Sequence, residues 1–232
     1  MSNKYKHIFF DLDRTLWDFE ASALQAFQVI FEQYDLGEKG IKSAHYFHEV
    51  YTKHNEKLWD LYRVGKITKE VLRGKRFFLT LNDFGINDSK LAESIGLEYT
   101  VISPRLVNLF PNAIEILDYL KPRYKLHIIT NGFSEVQEVK LKSSGMDNYF
   151  DKVITSEDAG VKKPNGRIFS YALEKTSAKL NESIMIGDDF KVDIVGAQDF
   201  GMDQVFFNPE SAIHPNGCTF EIMDLIDLKG IL

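Results

Sequence analysis

Asp11 and Asp13 sit one residue apart in the run Phe10-Asp11-Leu12-Asp13-Arg14-Thr15. Two carboxylates so placed suit a reaction in which one group attacks and the other moves a proton. One can attack phosphorus while its neighbour protonates the departing oxygen. Mutual repulsion tends to keep one of the two protonated and fit for acid catalysis. The competing reading is an ordinary solvated turn, because Asp-x-Asp is common in loops.

Three later segments complete a chemical set. Thr130, Asn131 and Gly132 end the apolar run that begins at Leu126. A hydroxyl and free backbone N–H groups there can bind phosphoryl oxygens, and Gly132 permits close backbone approach. The alternative is an Asn-Gly turn ahead of a helix start at Ser134. Lys163 precedes Pro164, which disfavours helix at the lysine. Its ammonium can neutralise charge on a nucleophile and a phosphoryl group; otherwise it is a surface lysine beside Lys162. Gly187-Asp188-Asp189 with Asp193 brings three carboxylates together, and these repel unless a cation shares them. Hard oxygen ligands suit Mg²⁺, held by few carboxylates together with water and a substrate phosphate. An aspartate here can instead cap the following helix. The expectation is that one caps and at least one binds metal.

These segments meet only if the strands before them share a sheet. Tyr5 to Asp11 reads as a strand, and from Asp18 the pattern turns helical, with Leu24, Phe27, Phe31 and Tyr34 recurring until Gly37. Further helices are expected over 44–62, over 68–81 with Thr68 as cap, and over 89–102 before Pro104. After Pro111 the pattern alternates: helix 112–120, strand 125–130, helix 134–144 closed by Gly145, strand 152–155, helix 167–176, strand 183–186, helix 192–200 closed by Gly201, strand 204–207. Such alternation implies right-handed βαβ units and a parallel sheet. The expected fold is therefore α/β: a Rossmann-like, doubly wound parallel sheet formed by residues 1–17 and 104–232, with an all-helical cap of residues 18–103 inserted. Loops beyond the strand C-termini of such a sheet converge on one crevice.

Composition narrows the partner. Of 232 residues, 44% are hydrophobic and 27% charged, as in ordinary globular proteins. The net charge of −6 comes with scattered basic residues and no basic stripe, which argues against a nucleic-acid polymer but leaves a small anionic ligand open. Cys218 is the single cysteine, so no intrachain disulfide forms, in keeping with a reducing compartment. The apolar run Ile8-Phe9-Phe10 stops at Asp11, too short for a signal peptide or membrane span. A cytoplasmic protein without membrane association, monomeric or a small homo-oligomer, is expected.

Asp-x-Asp-x-Thr, a strand-end Thr, Lys-Pro and Gly-Asp-Asp with a later Asp, taken in that order, resemble the haloacid dehalogenase (HAD) superfamily of phosphohydrolases. The helical insert lies where that superfamily's first cap class sits. The resemblance implies that Asp11 is the nucleophile, forming an aspartyl-phosphate, and that Asp13 protonates the leaving alcohol and later activates water. It implies that Thr130 and Lys163 hold the phosphoryl group. Mg²⁺ is then expected on Asp11, the Asp13 backbone carbonyl and Asp188, with Asp193 near it. Arg14 departs from the pattern, standing where Gly is frequent, and the doublet Asp188-Asp189 leaves two candidates for the metal.

A narrower likeness runs through Leu58-Trp59-x-x-Tyr62, Gly65-Lys66-Ile67-Thr68, Arg76-Phe77, Ile129-Thr130-Asn131-Gly132-Phe133 and Gly160-Val161-Lys162-Lys163-Pro164-Asn165. These are similar to the bacterial pyrimidine 5′-nucleotidase branch. The implied activity is Mg²⁺-dependent hydrolysis of a nucleoside 5′-monophosphate, pyrimidine preferred. Trp59, Tyr62 and Arg76 are the cap residues expected to read it, with Trp17, Phe77 and Asn55 as further candidates. Against this, aromatics at helical spacing usually form core. His45, His48 and His54, also at helical spacing, read as a solvated or partly buried face rather than a zinc site. Alternatives are a phosphatase or mutase of sugar phosphates or other small metabolites, and a non-enzymatic aspartyl-phosphate switch. A dehalogenase has no alkoxide for Asp13 to protonate.

Overall fold

Strand β1 (His7–Phe10) is buried along its whole length, because both faces of the sheet it joins are covered. The computed structural model describes residues 4–215 and 217–232. After β1 come four long helices, α1 (Phe19–Gln33), α2 (Ala44–Arg63), α3 (Lys69–Asp83) and α4 (Ser89–Ile102). Then follow α5 (Ala113–Leu120), β2 (Lys125–Thr130), α6 (Ser134–Ser144), β3 (Lys152–Thr155), α7 (Ser156–Ala159), α8 (Gly166–Thr176) and β4 (Ser183–Gly187). A π-helical turn (Phe190–Val195) leads into α9 (Gly196–Phe200), and β5 (Asp203–Phe207) and β6 (Phe220–Ile222) complete the sheet. The chain divides into two compact units, Met1–Phe19 with Val107–Leu232, and Glu20–Leu106.

In the first unit all strand pairs are parallel, in the order β3-β2-β1-β4-β5-β6. Side chains alternate across the pleat, so Ile8 and Phe10 pack with Ile116, Leu117 and Leu120 of α5 on one side. Phe9, between them, packs with Ile168, Phe169 and Ala172 of α8 on the other. This two-sided burial is why the strands read as continuous apolar runs.

The expected strands at 125–130 and 152–155 and the helices at 89–102 and 134–144 have the observed bounds. The expected helix over 192–200 differs: it opens as the π-helical turn, and only its second half is α-helical. The edge strand β6, the short α7 and a 3₁₀ segment at Leu225–Gly230 were not anticipated; each is too short to carry a period.

The second unit is helical throughout. Ser43, Thr68 and Asp88 cap α2, α3 and α4, each side chain accepting a backbone N–H three residues on. Its core is aromatic, with Phe27 4.6 Å from Tyr51 and 5.4 Å from Tyr99 between ring centres, and Tyr51 5.0 Å from Phe77. Among the described residues no helix is long and apolar enough to cross a membrane.

Candidate active site

The strand order reverses direction between β1 and β4, the switch point beyond whose strand ends open α/β sheets bind their ligands. Asp11 leaves β1 with its N–H bonded to the Ile186 carbonyl at 2.8 Å, and Asp188 leaves β4. Carboxylate oxygens of Asp11, Asp188 and Asp193 lie within 4.8 Å of one another. Lys163 is no surface lysine: it is 1% exposed. Its Nζ reaches Asp11 Oδ1 at 2.6 Å, Asp193 Oδ1 at 2.7 Å and the Ile129 carbonyl at 2.8 Å. Gly187 is required by this packing, since a Cβ there would stand 2.4 Å from Asp193 Oδ2.

The doublet separates by role. Asp189 caps the helix that follows, accepting the N–H groups of Lys191 at 3.1 Å and Val192 at 3.0 Å. Asp188 faces Asp11 and Asp193 and accepts the Thr15 hydroxyl at 2.8 Å.

Burial dominates the electrostatics. It pushes Asp11 up to about 7, against the pull of Lys163 and with the added repulsion of Asp193. Burial also raises Asp188 well above the carboxylate range, reinforced by Asp193 and Asp11. Asp193 is raised by burial too, with Lys163 opposing. For Lys163 burial works against the charge, but Asp11 and Asp193 outweigh it and its pKa rises. Three carboxylates around one ammonium leave uncompensated negative charge on hard oxygen donors. That donor set fits a divalent cation such as Mg²⁺.

Of the paired carboxylates, one of which is expected to stay protonated, the raised member is Asp11, and Asp13 is the lowered one. Burial alone would raise its pKa, but the Lys140 ammonium and the Gln137 amide hold it below the usual range. Lys140 Nζ is ion-paired with Asp13 Oδ1, and Gln137 Nε2 donates to Asp13 Oδ2 at 2.8 Å. The same Nε2 donates to Thr130 Oγ1 at 2.8 Å. The Gly132 N–H, expected to be free for phosphate, donates to that hydroxyl oxygen at 3.0 Å. The Asn131 side chain grips the Lys163 backbone at both ends, accepting its N–H at 2.8 Å and donating to its carbonyl at 3.0 Å.

Arg14 adopts a left-handed φ of 65°, which is the conformation a glycine takes readily. Its guanidinium lies 5.0 Å from the Phe19 ring centre. In the helical unit Tyr62 is buried, with Trp59 edge-on at 5.5 Å. Arg76 is 4% exposed; it donates to Asn55 Oδ1 at 3.1 Å and lies over the rings of Tyr51, Phe77 and Tyr99. Trp17 and Phe77 are core side chains of their own units. His54 pairs with Asp83 at 2.8 Å, His45 with Glu49 at 3.4 Å and His48 with Glu20 at 3.7 Å. Among the described residues the metal-competent group is Asp11, Asp188 and Asp193, and it contains no histidine.

Thr15 stands in the first motif without an assigned task, and Gln137 and Lys140 lie outside every motif. The available signal was their three-residue spacing in the first helix after Thr130, on a face where Leu141 is the apolar member.

Residues 5–201 match the family described as haloacid dehalogenase-like hydrolase. The chain is 32% identical to the pyrimidine 5′-nucleotidase YjjG of Escherichia coli, over 99% of this chain and 98% of that one. It is 31% identical to a glyceraldehyde 3-phosphate phosphatase of Methanothermobacter thermautotrophicus, over 98% and 99%. Among solved structures it is similar to the HAD-hydrolase YfnB of Bacillus subtilis, crystallised with magnesium. There the TM-score is 0.88 and the identity 28%, covering 99% of each chain.

Proposed function

The chain belongs to the haloacid dehalogenase-like hydrolases, and from that premise we propose that it hydrolyses nucleoside 5′-monophosphates through an aspartyl-phosphate, with pyrimidine nucleotides preferred. The observation that carries the chemistry is the buried Lys163 bridging Asp11 and Asp193 beside Asp188. Lys163 holds Asp11 Oδ1, and Oδ2 is the oxygen assigned to attack phosphorus. As the Oδ2–P bond forms, the P–O bond to the ester oxygen breaks; Asp13, ionised in the free site by Lys140 and Gln137, takes up the proton of a monoanionic ester on binding and passes it to the departing alkoxide. Water then attacks phosphorus while Asp13 takes its proton back; the Oδ2–P bond breaks, releasing phosphate and the original carboxylate. Lys163 and the Thr130 hydroxyl bear on the phosphoryl oxygens throughout.

Mg²⁺ would be held by Asp11, Asp188 and the Asp13 backbone carbonyl with Asp193 beside it, and when bound it supplies positive charge against the phosphoryl oxygens. The same reading assigns leaving-group recognition to the helical unit, with Trp59, Tyr62 and Arg76 as its candidates. The full-length likeness to a pyrimidine 5′-nucleotidase supports the nucleotide. A second reading, a phosphatase of small sugar phosphates, is favoured by the comparable likeness to a glyceraldehyde 3-phosphate phosphatase.

Phosphate release from nucleoside monophosphates and sugar phosphates, with Mg²⁺ and with chelator, tests both. The expected result is metal-dependent turnover favouring UMP, dUMP or dTMP, absent in a folded Asp11→Asn protein. Preference for sugar phosphates would exchange the substrate and keep the mechanism. Substantial turnover by pure Asp11→Asn would sink the nucleophile assignment.

A further inference from the structure

We infer that Gln137 and Lys140 are positioning residues of this reaction: together they clamp the Asp13 carboxylate, and Gln137 also fixes the direction in which Thr130 donates its hydroxyl. The inference rests on the phosphatase reading above.

The two side chains sit three residues apart on α6 and so share a face. Gln137 is 1% exposed and Lys140 4%. They take different oxygens of Asp13, Lys140 the Oδ1 and Gln137 the Oδ2. A carboxylate gripped at both oxygens by two separate donors has one orientation. The Lys140 ammonium otherwise faces aromatic rings, Trp17 at 5.3 Å and Phe19 at 5.6 Å. A buried ammonium with a single carboxylate partner is weak evidence for stability, which makes a role in holding that partner the better account.

Gln137 carries the second part. Thr130 Oγ1 accepts from Gln137 Nε2 and from the Gly132 N–H. A hydroxyl oxygen has two acceptor positions, and both are filled, so only the O–H is left to interact further. A phosphoryl oxygen is an acceptor, and Thr130 is thereby preset as its donor. The amide cannot be reversed, because Oε1 would then face the Asp13 carboxylate. As placed, Gln137 Oε1 is buried without a hydrogen-bond partner. A glutamine kept for packing alone has no reason to bear that cost.

The test compares Lys140→Met, Lys140→Arg and Gln137→Met in the wild-type and Asp13→Asn backgrounds. With a nucleoside 5′-monophosphate, Lys140→Met is expected to lower kcat about 10- to 100-fold with KM changed less than about twofold, and Gln137→Met to lower kcat by a similar factor while also raising KM, because Thr130 loses its preset direction. Lys140→Arg, which keeps the charge and donors, restores most of the loss. p-Nitrophenyl phosphate serves the Asp13→Asn background, because its leaving group departs without protonation. There Lys140→Met should change kcat less than about twofold, since its partner is gone. Gln137→Met should still weaken inhibition by inorganic phosphate, through Thr130.

Lys140→Met losses carried in KM, equal Lys140→Met losses in both backgrounds, or no rescue by Arg would overturn the inference. Gln137→Met leaves the ion pair in place and decides the matter even if Lys140→Met melts early. A wild-type protein inert toward every phosphate ester overturns the phosphatase reading and the inference together. An active wild type with unaltered variants overturns the inference alone.

Discussion

At Gly132 a single methyl group would be felt by three other side chains. A Cβ there would stand 2.1 Å from Gln137 Nε2, the nitrogen that holds both Asp13 and Thr130. The atom displaced is the far end of a flexible side chain, so the fold can absorb the change while the two hydrogen bonds cannot. Gly132→Ala is therefore expected to cost no more than about 1 kcal/mol of stability, read by urea denaturation, at the low end of overpacking costs. Its kcat should fall about as far as that of Gln137→Met, roughly 10- to 100-fold. Because both changes break the same bonds, combining them should add little. Additive losses would show that Gly132 acts through its own backbone. Arg14 makes the converse point. Its left-handed φ explains why glycine is frequent at that position, and the cation stacked on Phe19 shows how a side chain can be tolerated there.

At the scale of elements, the turn from β4 into its helix divides two adjacent aspartates by function. Asp189 meets backbone N–H groups at the helix start, while Asp188 meets Thr15 and the other carboxylates. Asp189→Asn preserves an acceptor for the cap and should keep both stability and turnover. Asp189→Ala should lower stability by about 1 kcal/mol, seen in the melting temperature, with activity largely kept. Asp188→Asn should instead reduce Mg²⁺-dependent turnover by at least about 100-fold in a folded protein. If Asp189→Asn is the inactive variant, the assignment is reversed. That division was half legible in the sequence, which shows three acids after a strand but not which way each one turns. The central strands β1 and β4 were legible because two-sided burial makes them largely apolar, and α6 because Gly145 ends it in a left-handed cap. Gln137 and Lys140 were illegible for a physical reason: on a helix, polar residues at this spacing look solvated. Their burial depends on Asp13, which enters the site from a strand 124 residues away from Gln137.

Across the whole molecule, the sheet carries a titration unrelated to the site. His7 on β1 and His127 on β2 are buried side by side, with Nδ1 of the first 3.0 Å from Nε2 of the second. One donates and the other accepts, so at least one of the two rings is neutral. Burial, then repulsion from His7, Lys125 and Lys152, lowers His127 from 6.5 to about 3. His7 is lowered as well, by burial and Lys125 first. The unfolded chain binds a proton below about pH 6.5 that the folded sheet refuses until about pH 3. Stability from this group is thus complete above pH 6.5 and is lost progressively as the pH falls, reaching about 2 kcal/mol lost at pH 5. Asp11, Asp188 and Asp193 have the opposite sign, since burial raises them and acid relieves their repulsion. A raw stability profile mixes the two. Comparing His127→Gln with the wild type separates them, because the site carboxylates are common to both proteins and cancel in the difference, leaving the imidazole pair. Urea denaturation at pH 7 and pH 5 should show the wild type losing about 2 kcal/mol more than His127→Gln over that interval. Equal losses would mean that the imidazole is protonated inside the sheet, and the neutral His127 would have to be abandoned.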